Sequence, residues 1–358
     1  MSDSDAGNNG SRDESVNISV NVNVNVNVNI AGGNAEGGDP AAATAAGYSG
    51  SVLKKWLEAM RLRTLPLSLS AVLLGVVLGC LESPETAVSP WKTGILAFFI
   101  LLTAVLLQIL SNFANDYGDS VSGVDNKERA GRISVLQQGG MTRKELLRGI
   151  FAAGILALGS GSIALLLAFM ESPAALLGFC LLGALAVAAA VTYTVGIAYS
   201  YMGLGDLSVF IFFGLVSVMG AEYMIAHDVS ALGIITGCSA GFMAIMVLNV
   251  NNLRDYESDI KGGKNSVVVR LGLSGGRVYH WCLCNAAVLL LFAAGVIINS
   301  WWALLLLPVM IPFFKVTAFV TSEQNSGVTL DPCLKKTSIA ASVINLTLAV
   351  TLTLAQLF

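Results

Sequence analysis

The sequence predicts an all-α integral membrane protein with nine transmembrane helices, and three observations point there. Apolar residue types make up 55% of the 358 residues and charged types 12%, whereas a soluble domain carries about 25% charged residues. Nine apolar stretches, at 64–81, 93–113, 146–169, 174–195, 204–222, 231–251, 279–298, 301–320 and 338–357, are long enough to cross hydrocarbon, which takes about 20 helical residues. Lys and Arg gather in alternate loops between them, the asymmetry expected of a multi-pass protein.

The chain divides at about residue 50. Residues 1–50 are rich in Asn, Gly, Ser and Ala, and Arg12 is their only basic residue. The run Asn17 to Ile30 alternates Asn with Val or Ile, which suits a strand by period. A lone strand is not stable, so a disordered low-complexity tail is expected. It lacks the basic start and apolar core of a secretory signal, and Asp3, Asp5, Asp13 and Glu14 speak against a transit peptide. Residues 51–63 read as an interfacial amphipathic helix. Leu53, Trp56, Leu57 and Met60 fall at i, i+3, i+4 and i+7, with Lys54, Lys55, Arg61 and Arg63 as cations. Residues 64–358 form the nine-helix domain.

Orientation follows from the cations. Lys54, Lys55, Arg61 and Arg63 precede the first span. Lys127, Arg129, Arg132, Arg143, Lys144 and Arg148 lie between the second and third, and Arg254, Lys261, Lys264, Arg270 and Arg277 between the sixth and seventh. Lys92 stands alone on the other side. The positive-inside rule places the N-terminus and the charged loops in the cytoplasm of a cell whose inner or plasma membrane holds the protein. The net charge of −3 and the scattered cations do not suggest nucleic-acid binding. The six cysteines form no CxxC pair and read as small apolar residues.

Two segments break the apolar pattern in the same way. Asn112, Asn115, Asp116, Asp119 and Asp125 end the second span, and Asn251, Asn252, Arg254, Asp255, Glu257 and Asp259 end the sixth. Both contain Asn-xxx-Asp followed by a further Asp, four spans apart, which suggests two pseudo-repeats. At about 100° per residue, Asn112, Asp116 and Asp119 share an arc of about 60°, and Asn251, Asp255 and Asp259 one of about 80°. Each set is a column of oxygen ligands. Two such columns facing each other in a low-dielectric site need cations. Hard oxygen donors without His or Cys favour Mg²⁺, which binds through one or two carboxylates plus substrate phosphates. The reading is a Mg²⁺-diphosphate site, with Arg63, Arg132, Arg254 and Lys264 as candidate cations for the phosphates.

Between the two halves lie Thr192-Tyr193-Thr194, Tyr199, Tyr201 and Gly203-Leu204-Gly205-Asp206. Tyr193 is expected to face a cationic intermediate. Tyr199 and Tyr201 read as aromatic belt. His227 and His280 have no partner at metal spacing and read as structural.

At these residues the chain resembles the UbiA superfamily of intramembrane prenyltransferases, and in detail its branch acting on 1,4-dihydroxy-2-naphthoate. Arg63-Thr64-Leu65-Pro66 resembles the family's opening motif. NFANDYGD (112–119), YTVG (193–196), GLGD (203–206) and NNLRDYESDIKGGKNSVVVRLG (251–272) carry the rest. The resemblance implies nine helices around a central cavity, with metal held by Asn112, Asp116, Asp119, Asp255 and Asp259, Asn115 and Asn251 beside them and Asp206 near the acceptor. It implies transfer of a polyprenyl group from its diphosphate to the naphthoate ring with loss of CO₂, a step of menaquinone biosynthesis. Where the family often has a basic residue, Ile197-Ala198-Tyr199 has none, so the group meeting the acceptor carboxylate stays open. The alternatives are another branch of the superfamily, with 4-hydroxybenzoate or a lipid as acceptor, and a transporter. A transporter needs carboxylates near the midplane, and here they cluster at one face.

Overall fold

The structure, a computed structural model, describes residues 50–82, 90–122 and 134–358. The expected tail lies outside the described residues, as do Asp125 and Arg132; of Arg63 only the backbone is described. The described residues form α1 (Val52–Ala59), α2 (Leu65–Glu82), α3 (Pro90–Ser122), α4 (Arg143–Phe169), α5 (Pro173–Thr192), α6 (Gly205–Ala226), α7 (Ala231–Arg254), α8 (Tyr256–Lys261), α9 (Val267–Ile298), α10 (Leu306–Thr321) and α11 (Asp331–Leu357). Among the described residues, nine helices, all but α1 and α8, are long and apolar enough to cross a membrane.

Local chemistry sets several boundaries. Thr142 and Glu145 form a capping box at the start of α4, with Thr142 N donating to Glu145 Oε2 at 2.8 Å and Glu145 N to Thr142 Oγ1 at 3.2 Å. Glu145 also receives Lys55 Nζ at 2.8 Å, which ties α1 to α4. Ser230 caps α7 by accepting from Gly233 N at 3.0 Å, and Glu222 of α6 accepts from Ser230 Oγ at 2.6 Å. Ser266 caps α9.

Several helices outrun their apolar stretches. The second span was expected to end at 113 and continues to Ser122; the seventh begins at Val267 rather than 279; α11 begins at Asp331 rather than 338. Hydropathy marks where a chain tolerates lipid. A helix continues further when its polar side chains find partners inside the bundle, as Asn112, Asp116 and Asp119 do. The interfacial helix is shorter than expected. It ends at Ala59, and Arg61 turns the chain with φ 52°. Trp56 docks edge-on to Phe113 at 5.7 Å, while Leu53 and Leu57 stay exposed.

One buried apolar cluster joins α2, α6, α7, α9, α10 and α11, and a second joins α2 and α6 to α3 and α4. The centre of α6, Phe210–Gly220, is π-helical, with Ser217 Oγ donating to Phe212 O five residues back at 2.7 Å. There α6 crosses α7 at glycines. A Cβ on Gly214 would lie 2.5 Å from Gly241 Cα and 2.7 Å from Gly237 O, both backbone atoms. Gly214→Ala is expected to cost about 1–3 kcal/mol, read as a lower thermal unfolding midpoint in detergent. Gly178→Ala, with nothing within 4 Å of its Cβ, is the control expected to leave that midpoint in place.

Candidate active site

Helices α2 to α7 enclose a cavity of about 400 Å³. Its polar lining, including Arg61, Gln108, Asn112, Asn115, Asp119, Tyr193, Asn251 and Lys264, falls toward the C-terminal ends of α3 and α7. The rest is mostly apolar, with Val72, Ile100, Leu165, Phe179, Phe212 and Val216 among its walls.

Asp116, Asp119, Asp255 and Asp259 each have a protein partner. Asp116 pairs with Arg61. Asp119 Oδ1 accepts from Tyr201 OH at 2.7 Å. Asp255 is held by Arg254, through Nε at 2.8 Å and Nη2 at 2.7 Å. Asp259 Oδ2 lies 3.3 Å from Lys264 Nζ. All four carboxylates are buried, so these contacts offset a desolvation cost that water cannot meet. Asn112 donates to Met60 O at 2.9 Å, and Thr194 Oγ1 lies 3.3 Å from Asn115 Oδ1.

A chain of contacts brings the two motifs together. Tyr201, in the α5–α6 connection, reaches Asp119 of α3 with its hydroxyl. Its carbonyl accepts from Asn265 N at 2.9 Å, next to Lys264, which pairs with Asp259. Arg270 secures the same connection by donating to Met202 O at 2.5 Å. Tyr193 sits among these groups. Burial, and then the charges of Asp206, Tyr199, Asp119 and Asp259, raise its hydroxyl pKa well above the usual tyrosine range. It therefore stays protonated and neutral.

The structure redistributes several expected roles. Asn251, Asp255 and Asp259 do not lie on one helix. α7 stops at Arg254 and the chain bends at Asp255, although Asp255 N to Asn251 O and Asp259 N to Asp255 O keep a helical register at 3.0 and 2.8 Å. Arg254, expected at the phosphates, is absent from the cavity lining and is buried against Asp255, Asn251 and Asp331. Asp206 also lies behind the lining, accepting from Tyr279 OH at 2.9 Å. Tyr201 leaves the expected aromatic belt to bond Asp119. Tyr199 lines the cavity, 2.8 Å from Ser208 Oγ, and meets Tyr193 edge-on at 5.4 Å. Glu257 is an ordinary exposed side chain. His280 is buried with Nδ1 3.0 Å from Asn249 Oδ1, consistent with a structural role. The six cysteines are free.

Among the described residues no three His, Cys, Asp or Glu side chains are close enough together to hold one metal ion. The donor set still suits a hard cation. It is made of carboxylate and amide oxygens, with no thiol or imidazole among them. Asp116 and Asp259 also have partners able to move aside, since Arg61 and Lys264 are long side chains that line the open cavity.

Fold and site together define a multi-pass membrane protein with an apolar cavity whose polar mouth holds Asp119, Arg61 and Lys264, with Asp116, Asp255 and Asp259 buried behind it, the layout suited to an amphiphile with an anionic head. Residues 68–329 match the UbiA prenyltransferase family, and the chain belongs to that family. It is 41% identical over 296 residues to the 1,4-dihydroxy-2-naphthoate octaprenyltransferase of Haemophilus influenzae, covering 82% of this chain and 94% of that protein. It is 39% identical over 306 residues to the enzyme of the same name from Escherichia coli, covering 84% and 96%. The apo structure of a UbiA homolog from Aeropyrum pernix shares the fold with a TM-score of 0.60 at 17% identity, covering 82% of this chain and 98% of that one. A UbiA homolog from Archaeoglobus fulgidus bound to DMAPP and Mg²⁺ shares it at 0.56 and 17% identity, covering 84% and 99%.

Proposed function

We propose that this chain transfers a polyprenyl group from polyprenyl diphosphate to 1,4-dihydroxy-2-naphthoate. The allylic C–O bond to diphosphate breaks, and the allylic carbon bonds to the ring carbon carrying the carboxylate. CO₂ then leaves, giving demethylmenaquinone in its quinol form. The observation that carries prenyl transfer is the meeting of two buried acidic motifs, bridged by Tyr201, at the mouth of an apolar cavity. The choice of acceptor rests on relatives at 41% and 39% identity that bear that name.

Asn112, Asp116, Asp119, Asp255 and Asp259 are the residues that would hold Mg²⁺. When bound, Mg²⁺ neutralises charge on the departing diphosphate. Arg61 and Lys264, released from Asp116 and Asp259, bring positive charge to the same anion. Arg61 takes the place that sequence reasoning gave to Arg254. The apolar walls hold the isoprenoid and exclude water that would quench an allylic cation. Tyr193 stays neutral beside it and stabilises it through its ring. Asn115 and Asn251 line the mouth as polar contacts for substrate. Arg63 and Arg132 remain candidate phosphate contacts on the sequence motif alone, and Asp206 acts behind Tyr193 toward the acceptor side. The cation-rich loops support a position for this mouth at the cytoplasmic face of the cell membrane, where both charged substrates would arrive.

Product analysis tests this reading. Purified protein in detergent, with Mg²⁺, a mixture of prenyl diphosphates and dihydroxynaphthoate, is expected to yield a decarboxylated, prenylated naphthoquinol by mass spectrometry, or the quinone that air forms from it. Prenylated 4-hydroxybenzoate in place of the naphthoate product would move the chain to another branch of the family. No prenylated product from either acceptor would remove the enzymatic reading of the cavity.

A further inference from the structure

The structure assigns Gln108 to the aromatic acceptor, as the residue that recognises a ring hydroxyl. Gln108 lies on α3 four positions before Asn112, about 6 Å farther from the mouth along the helix at 1.5 Å per residue. It is 6% exposed and lines the cavity beside Thr64 and Ser68, which belong to the segment that opens α2. Its Nε2 donates to Thr64 Oγ1 at 3.2 Å, and its Oε1 accepts from Ser68 Oγ. On one side of this patch stand the charges of Arg61, Asp119 and Lys264, and on the other the walls are apolar. The patch itself is neutral and polar, at the level where the charged mouth gives way to hydrocarbon.

Counting donors and acceptors defines the ligand. A carboxamide has two N–H hydrogens and two carbonyl lone pairs. Thr64 takes one hydrogen and Ser68 one lone pair, so one donor and one acceptor remain. A neutral hydroxyl, which both donates and accepts, answers the two together. An isoprenoid chain answers neither. A diphosphate or a carboxylate only accepts, and would leave the amide carbonyl facing an anion. Position agrees with this count. The allylic carbon is one bond from the diphosphate proposed for the mouth, so the ring that bonds to it must lie just beneath, at the level of Gln108. On a dihydroxynaphthoate the hydroxyl next to the carboxylate bonds to that carboxylate, which leaves the other hydroxyl for Gln108. A tie between α2 and α3 does not by itself account for the amide. Thr64 Oγ1 also donates to Arg61 O at 3.0 Å, and Ser68 Oγ has a second acceptor in Leu65 O at 3.1 Å. Both hydroxyls are satisfied without Gln108, and an apolar side chain would fill the place without desolvating an amide. This inference rests on the proposed aromatic acceptor and adds the group by which it is recognised.

The test is equilibrium binding, read by isothermal titration calorimetry on wild type and Gln108→Met in detergent, with Mg²⁺ and an unreactive prenyl thiodiphosphate present. The probes are 4-hydroxy-2-naphthoate and 2-naphthoate, which differ by one ring hydroxyl. Wild type is expected to bind the hydroxylated acid about 10-fold more tightly, the scale of one or two hydrogen bonds. Gln108→Met keeps the length of the side chain and leaves Thr64 and Ser68 their backbone acceptors, so it is expected to fold. In it the two acids should bind alike, while the thiodiphosphate keeps its wild-type Kd. A hydroxyl preference that survives in Gln108→Met, or that wild type lacks, would overturn the inference. So would a loss that falls equally on both acids or on the thiodiphosphate, because a structural role for Gln108 cannot tell a hydroxyl from a hydrogen. A preference that needs Gln108, in a wild-type protein that forms no prenylated product, would overturn the proposed reaction and uphold the hydroxyl site.

Discussion

Asp116→Asn is expected to lower kcat for prenyl transfer by at least about 10²- to 10³-fold, the scale of losing one preorganised electrostatic contact. The protein should still insert and fold. Asp116 is buried on α3 and pairs with Arg61, which comes from the turn between α1 and α2. An amide of the same size still accepts from that guanidinium, so the α1–α3 contact persists. What disappears is the negative charge by which Asp116 would hold the proposed Mg²⁺. Asp255→Asn is expected to do the same from the other motif. Arg254 is not stranded there, because Asp331 remains 2.6 Å from its Nη1. The measurement is kcat under saturating Mg²⁺, with the size-exclusion profile in detergent as the check on folding. Wild-type turnover in either variant would remove that carboxylate from the proposed metal site.

The two motifs were legible because helical spacing is local. Asn112, Asp116 and Asp119 fall on one face by arithmetic alone, and α3 carries them in that register. The spans were legible for the same reason, since each is a long run of one residue class. What stayed hidden depends on partners distant in sequence. Arg61 follows the apolar set Leu53, Trp56, Leu57 and Met60, so it read as one more interfacial cation beside Lys54, Lys55 and Arg63. Its left-handed φ of 52° takes it off that helix and into the cavity. Tyr201 read as aromatic belt because nothing local shows that Asp119, 82 positions away, accepts its hydroxyl. A signal was available in its neighbourhood. Tyr193, Tyr199 and Tyr201 lie in one connection punctuated by Gly196 and Gly203, both with positive φ. A tight, tyrosine-rich turn between two spans is more constrained than a belt requires. Arg254 shows the converse case. Its place inside the motif suggested substrate contact, but Asp331 on α11 claims it.

Gly118→Ala tests whether that turn must sit where it does. Gly118 lies one position before Asp119 on α3, against the segment that carries Tyr193. A Cβ there would fall 2.5 Å from Thr194 O and 2.6 Å from Thr194 Oγ1. Neither can yield easily. Thr194 is buried, and its hydroxyl donates to Ala114 O at 3.0 Å. Ser200 Oγ holds the preceding carbonyl, Tyr193 O, at 2.6 Å. The added methyl therefore moves the whole turn, carrying Tyr193 away from the cavity and loosening Tyr201 from Asp119. A misplacement on the order of 1 Å costs roughly 10²-fold in rate, and kcat for Gly118→Ala is expected to fall by about that factor. Gly159→Ala makes the same chemical change on α4 with nothing within 4 Å of its Cβ, and should leave kcat in place. Asp116 is untouched in both, so Mn²⁺ binding should weaken far less than in Asp116→Asn. A Gly118→Ala enzyme with wild-type kcat would mean that the turn contributes no positioning, and Tyr193 would lose its role beside the reacting carbon.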